Sequence, residues 1–135
     1  MIMVPVSPGE LLDKITILAI KLERIADPAK RANVEREYHL LEEVRRRDVA
    51  DAPGLQVQFE QLRAVNEKLW VVEDDLRDLE AAQRFDGQFI ALARSVYVLN
   101  DERAAIKKAM NVLLGSAIVE EKSYANYRAG VANSG

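Results

Sequence analysis

Arg103 is the residue whose chemistry is hardest to reconcile with its surroundings: it falls in the apolar repeat Phe89, Leu92, Val96, Leu99, Arg103, Ile106, Met110, Leu113, where the pattern calls for a leucine. A guanidinium in such a seam needs acceptors. Asn100 lies three residues before it and Lys107 four after, so a helix carries all three on one flank. Amide, guanidinium and ammonium together make a donor set suited to a carboxylate or phosphate. The run Glu120-Glu121-Lys122-Ser123-Tyr124 concentrates further donors and acceptors and can close over that flank. Asn100, Arg103, Lys107, Lys122, Ser123 and Tyr124 are therefore the candidate anion-binding residues. Structural readings weigh more. Arg103 can pair with Glu73 of the neighbouring helix and fix its register, or snorkel from the seam to water, and a polar tail is most simply solvated.

Other chemistries find less support. Glu10/Asp13 and Asp75/Asp78 are carboxylate pairs one helical turn apart, the spacing with which all-helical nucleotide pyrophosphatases hold magnesium. Those enzymes gather several acids on one face, whereas Asp75 and Asp78 flank the Leu76/Leu79 seam and should point outward. His39 is the one histidine, so neither a paired Glu-x-x-His iron site nor a histidine-based triad can be assembled. There is no cysteine and no glycine-rich phosphate loop. At Ser7-Pro8-Gly9 an anion would compete with Glu10 for the same amides. No catalytic residue, metal ligand or cofactor is expected.

The elements that must position Arg103 are four helices. Val6-Ser7-Pro8-Gly9-Glu10-Leu11 reads as a capping box: Ser7 at the cap, Pro8 first in the helix, Glu10 reaching back to the Ser7 amide, and Val6 against Leu11 as a staple. Leu11, Ile15, Leu18, Leu22 and Ile25 follow at steps of four and three, widened by Leu12, Ile17, Ala19 and Ile20, so this helix is apolar most of the way round. Asp27-Pro28 ends it and begins a second, mostly solvated helix to about Arg47. After the loop 48–54, Leu62, Val65, Leu69, Val72, Leu76 and Leu79 give a third helix over 55–84 the alternation of a coiled-coil seam. Phe85-Asp86-Gly87-Gln88 interrupts the pattern, which resumes to Leu113. Two long seams and a short turn imply an antiparallel hairpin, each arm on the order of 40 Å at ~1.5 Å per residue. Gly115 should end the fourth helix, and Ile118-Val119 can pair with Ile2–Val6 as a small two-stranded patch. The expected fold is all-α, long helical hairpins forming a bundle, with one domain over 1–128 and a frayed tail over 129–135.

The totals fit. A chain of 135 residues, 49% hydrophobic and 30% charged with both signs interspersed, is enough for one folded core. Its net charge of −3 makes nucleic acid a poor partner, and the basic Lys30-Arg31, Arg36 and Arg45-Arg46-Arg47 are interleaved with acids. The N-terminus lacks the basic region and length of a secretory signal, and no run of about 18 apolar residues is present to span a membrane. The expected location is cytoplasmic.

Four stretches give the chain a resemblance to a bacterial domain family of unknown function: Pro5 through Leu18 (PVSPGELLDKITIL), Val65–Asp75, Ala93–Lys107 with ARSVY and NDER, and Leu114-Gly115-Ser116 through Val119–Tyr124. The resemblance covers nearly the whole chain. It implies a small cytoplasmic helical protein, found alongside glycosyltransferases of cell-surface polysaccharide assembly, and supplies no catalytic residues. The chain departs from the family pattern at Ala19, where glutamate is commoner, and at Met110-Asn111-Val112.

Two functions are carried forward. The leading one is a non-enzymatic interaction or accessory module, a homodimer or a partner of another protein, with Trp70 and Val71 as candidate interface because they extend the third helix's apolar surface beyond its seam. The rival is a small all-helical enzyme or binding protein for an anionic small molecule. Chorismate-mutase-type folds are its nearest helical comparison, but the arginines those enzymes carry on their first helix are absent from Leu11–Arg24.

Overall fold

Ser7 begins the first helix, its hydroxyl accepting the Glu10 amide at 3.2 Å, with Pro8 supplying a residue that has no amide to satisfy. In the computed structural model of the chain, which describes residues 1–121 and Tyr127, this helix is α1, Pro8–Arg24. Lys21 and Arg24 close it, offsetting the negative end of its dipole. Asp27 caps the next helix through the Lys30 amide at 2.9 Å, and α2 runs Pro28–Asp48. α3 spans Leu55–Ala81 and α4 spans Gly87–Leu113, the latter unbroken at Asn100.

α3 stops three residues short of the expected Arg84 because Gln83 takes a left-handed conformation, φ 56°. The Arg84 amide then returns to Leu79 at 2.9 Å and the Gln83 amide to Glu80 at 3.0 Å, satisfying carbonyls that the helix leaves open. Asp86 caps α4 through the Phe89 amide at 3.3 Å, so Gly87 is a first-turn residue and the reversal is confined to 82–86. Gly115 ends α4 as its sequence predicts: at φ 64° it lets the Ser116 amide reach the Asn111 carbonyl at 2.9 Å.

α1 is the centre of the molecule. It packs against each of the other three helices, and α3 and α4 pack along one another as an antiparallel hairpin. Leu12 of α1, Leu55 and Leu62 of α3, and Met110 of α4 form the core, with Val49, Ala52, Phe59, Ile106 and Leu114 around them. This core lies at the open end of the hairpin. Among the described residues α2 buries none, and α4 buries Met110 and Asn111, both in its last turn. The polar contacts of α1 with the hairpin fall at Arg63, Asn66 and Glu67 of α3 and at Arg103, Lys107 and Asn111 of α4, all on the open-end side. The turn end of the hairpin therefore projects as a two-helix arm.

Two expectations are corrected. No strand occurs among the described residues, so Ile2–Val6 and Ile118-Val119 do not form a two-stranded patch. Met1–Val4 stand in solvent and Pro5 has no amide for a ladder. The termini approach differently, through a hydrogen bond donated by the Ser7 hydroxyl to the Glu120 carboxylate. The second half of the capping box is also diverted, because Glu10 reaches Lys107 of α4 at 2.6 Å. The 128/129 domain boundary and the tail lie outside the described residues.

Gly9 marks the closest approach of α1 to α4. Its amide donates to Asn111 Oδ1 at 2.7 Å, and a Cβ there would meet the Lys107 carbonyl at 2.7 Å and Asn111 Oδ1 at 2.9 Å. Gly9→Ala should therefore destabilise the chain by about 1–3 kcal/mol in urea unfolding, through forced separation of the two helices. Gly87→Ala, with open space around it, should be neutral or slightly stabilising.

Candidate functional site: a buried carboxylate cluster

α1 is apolar on most sides, yet Asp13 projects from the side that meets α3 and α4 and is 1% exposed. A buried carboxylate is tolerated only when its lone pairs are taken by strong donors. Here they are. The Arg103 Nε donates to Asp13 Oδ1 at 2.9 Å and its Nη2 donates to Oδ2, a two-pronged pair between α4 and α1. Asn66 of α3 donates at 2.8 Å to Asp13 Oδ1 and at 2.8 Å to Thr16 Oγ1. Thr16 in turn donates to the Asp13 carbonyl at 2.7 Å, so its hydroxyl is oriented to accept from Asn66.

Lys107, one turn beyond Arg103, extends the cluster toward the surface. Its ammonium lies 2.6 Å from Glu10, 3.8 Å from Asp13 and 3.4 Å from Glu120. Burial to 14% exposure pulls its pKa down, but the hydrogen bond to Glu10 and the charges of Asp13, Glu10 and Glu120 more than offset this and leave it raised. Arg103 is likewise held more firmly protonated, by the Asp13 hydrogen bond against partial burial, then by the charges of Asp13 and Glu10. Asp13, Glu10 and Glu120 set three carboxylates against the two cations, which leaves the cluster with one net negative charge. Chemically the cluster is a cross-tie that joins α1, α3, α4 and the segment after Gly115.

Of the candidate anion-binding residues, Arg103 and Lys107 converge on one carboxylate, while Asn100 is half-buried a turn away and no hydrogen bond holds its side chain among the described residues. Lys122, Ser123 and Tyr124 lie outside the described residues. The neighbouring Glu120 and Glu121 do fold back onto α4, Glu120 onto Lys107 and Glu121 onto Lys108 at 3.8 Å. Tyr127 continues along the same helix, donating to Asp101 at 2.6 Å with its ring 6.2 Å from that of Tyr97. Glu73 is not the partner of Arg103: it pairs with Arg77 of its own helix at 3.1 Å. A hollow of about 230 Å³ beside the cluster is lined by Lys108, Asn111, Val112, Gly115, Ser116 and Val119, and Arg103 does not open into it.

Asp75 and Asp78 are exposed, and among the described residues no three acids or histidines come together as metal ligands. Trp70 is half-buried and Val71 exposed on α3. Among the described residues no helix is long and apolar enough to cross a membrane.

Sequence reasoning missed the role of Asp13, which entered only as half of the Glu10/Asp13 carboxylate pair weighed as a magnesium site. A signal was present. Asp13 shares its stripe of α1 with Gly9, Thr16 and Ile20, none of them charged, so it was as anomalous in its stripe as Arg103 is in its own.

Two outcomes test this geometry. Asp13→Ala leaves a guanidinium and an amide without their acceptor and should cost about 3–5 kcal/mol in urea unfolding, whereas Asp13→Leu with Arg103→Met should recover much of that loss. Because Lys107 is raised from the ordinary lysine value of 10.5, its stabilisation is complete below that pH and is lost as pH rises through the raised value. Wild type should lose stability more steeply than Lys107→Met on that alkaline side, measured as denaturation midpoints against pH.

No curated protein and no solved structure matches the chain. The sequence profile of one family of unknown function matches residues 2–134, almost the whole length. The chain thus belongs to DUF6165, a family of unknown function.

Proposed function

We propose that this chain is a non-enzymatic helical interaction module that works as a homodimer. The observation that carries this reading is the arm formed by the turn end of α3 and α4. Among the described residues each helix there packs on one other helix, where a bundle would give it two. Val72, Leu76, Phe89, Leu92, Val96 and Leu99 remain half-covered along the seam, and Phe85, Ile90, Tyr97, Val98 and Val71 are exposed outside it. Over Gly87–Leu99 the sole charged residue is Arg94. So long an apolar helix face is uncommon on a monomer and is the usual composition of an interface core. Trp70 and Val71 at the root of the arm belong to the same reading.

The rival, a binding protein or small enzyme for an anionic small molecule, draws on Glu120 and Glu121, which sit on Lys107 and Lys108 as an anion would. It is the weaker reading because Asp13 already takes both prongs of Arg103. A cytoplasmic accessory role in cell-surface polysaccharide assembly, the setting that the family resemblance implies, is part of the proposal and suits a module that works by contact.

Sedimentation equilibrium at micromolar concentration should return twice the chain mass, and Ile90→Glu with Val98→Glu should return the monomer with its helical circular dichroism intact. A wild-type monomer throughout that range contradicts the reading. Thermal shift against phosphorylated sugars, nucleotides and dicarboxylates addresses the rival: a stabilisation that disappears in Lys107→Met would favour it.

A further inference from the structure

Asn111, in the last turn of α4, is 4% exposed, yet only half of its side-chain amide is engaged. Oδ1 accepts the Gly9 amide at 2.7 Å, and this fixes which way the group is turned, because a backbone N–H can meet the oxygen and not the nitrogen. Nδ2 has two protons to donate and no acceptor among the described residues. Gln58 Oε1 is the one side-chain polar atom among those residues that is sealed from solvent without a partner, so Asn111 Nδ2 is open to solvent. The opening is the hollow of about 230 Å³ that Asn111 lines with Lys108, Val112, Gly115, Ser116 and Val119.

The end of α4 builds this hollow. Gly115, at φ 64°, turns the chain so that the Ser116 amide returns to the Asn111 carbonyl at 2.9 Å. The Ser116 hydroxyl then donates to the Ile118 carbonyl at 2.8 Å and accepts the Ile118 amide at 3.1 Å, which brings Val119 to line the same space as Val112. The walls are thus aliphatic around one pinned donor. The cations nearby are already engaged: Lys107 lies against Glu10, Asp13 and Glu120, and Lys108 faces Glu121 at 3.8 Å. An anion would have to displace a carboxylate from one of them, whereas an uncharged acceptor displaces nothing. The space is also smaller than the roughly 300–1,000 Å³ of sites for drug-sized ligands.

We infer that the hollow at the end of α4 binds a small uncharged molecule carrying a carbonyl on a short aliphatic chain. Asn111 Nδ2 donates to the carbonyl, and Val112 and Val119 enclose the chain. Because Gly9 already holds the amide in place, no rotamer has to be ordered when the ligand enters. The site stands whether or not the chain dimerises.

The probe is hexanamide, titrated into the nitrogen-15-labelled full chain. The side-chain amide resonances of Asn111 should shift saturably, with half-saturation on the order of 1–10 mM, the affinity within reach of so small a ligand. Val119→Trp fills the hollow from an exposed position outside the helices and should weaken binding about tenfold or more. Asn111→Asp keeps an acceptor for Gly9 and loses the donor, and should weaken binding by about as much; if burying that charge unfolds the chain, Val119→Trp still decides. Hexanoate, which puts a charge on the same chain, should bind about tenfold or more weakly than hexanamide. Asn111 resonances unmoved at about 50 mM hexanamide would leave water as the occupant and overturn the inference. A shift that survives Val119→Trp, or hexanoate binding as tightly as hexanamide, overturns it too.

Discussion

Removing a carboxylate from water costs several kcal/mol unless the protein returns an equivalent set of donors, and Asp13 imposes that demand on the whole chain. Its partners come from separate elements: Arg103 from α4, Asn66 from α3 and Thr16 from one turn along α1. Each must arrive at a fixed height and angle, because a guanidinium fork and an amide are directional in a way that aliphatic packing is not. The cluster therefore chooses one register of α1 across the hairpin from the several that Leu11, Leu12, Ile15 and Leu18 would tolerate. Close contact of Gly9 with Asn111 and Lys107 is a consequence, since bringing Asp13 within reach of Arg103 leaves no room for a Cβ one turn earlier.

The tie also determines what is left uncovered. α1 is held at the open end of the hairpin, where Gly9 meets Asn111 and Asp13 meets Arg103, while its last turn pairs with α3 through Arg24 and Glu67 at 2.5 Å. It cannot also cover the arm beyond. α2 follows α1 and packs along it, so neither of these helices adds a second layer to the turn end of α3 and α4. A monomer with this arm intact has spent its helices on one end. The same cluster that engages Arg103 at one end of the hairpin thus leaves the other end as a two-helix arm.

The helices were largely legible in the sequence because their signals are local. Ser7-Pro8, Asp27-Pro28 and Gly115 are capping chemistry, and the α3 and α4 seams are periodicity. Arg103 stood out for the same reason, as a break in a period. Its partner did not, because Asp13 is 90 residues away and the height of α1 against the hairpin depends on packing that no spacing encodes. Glu73 looked suitable only on the assumption that the hairpin was self-contained. The reversal at Gln83 was invisible since glutamine carries no preference for a left-handed turn, and the diversion of Glu10 to Lys107 depends on α4 being there. Two apolar termini suggested a strand pair, but apolar composition without a template is weak evidence for pairing.

Hydrogen exchange at the Arg103 side chain tests the central claim most directly, because it reports the ion pair itself and not its effect on stability. With Asp13 gripping the guanidinium, the Arg103 Nε proton should give a separate, slowly exchanging nitrogen-15 resonance near neutral pH that vanishes in Asp13→Asn. An Arg103 Nε proton that exchanges as fast as those of exposed arginines such as Arg77 in the folded wild type would contradict the account.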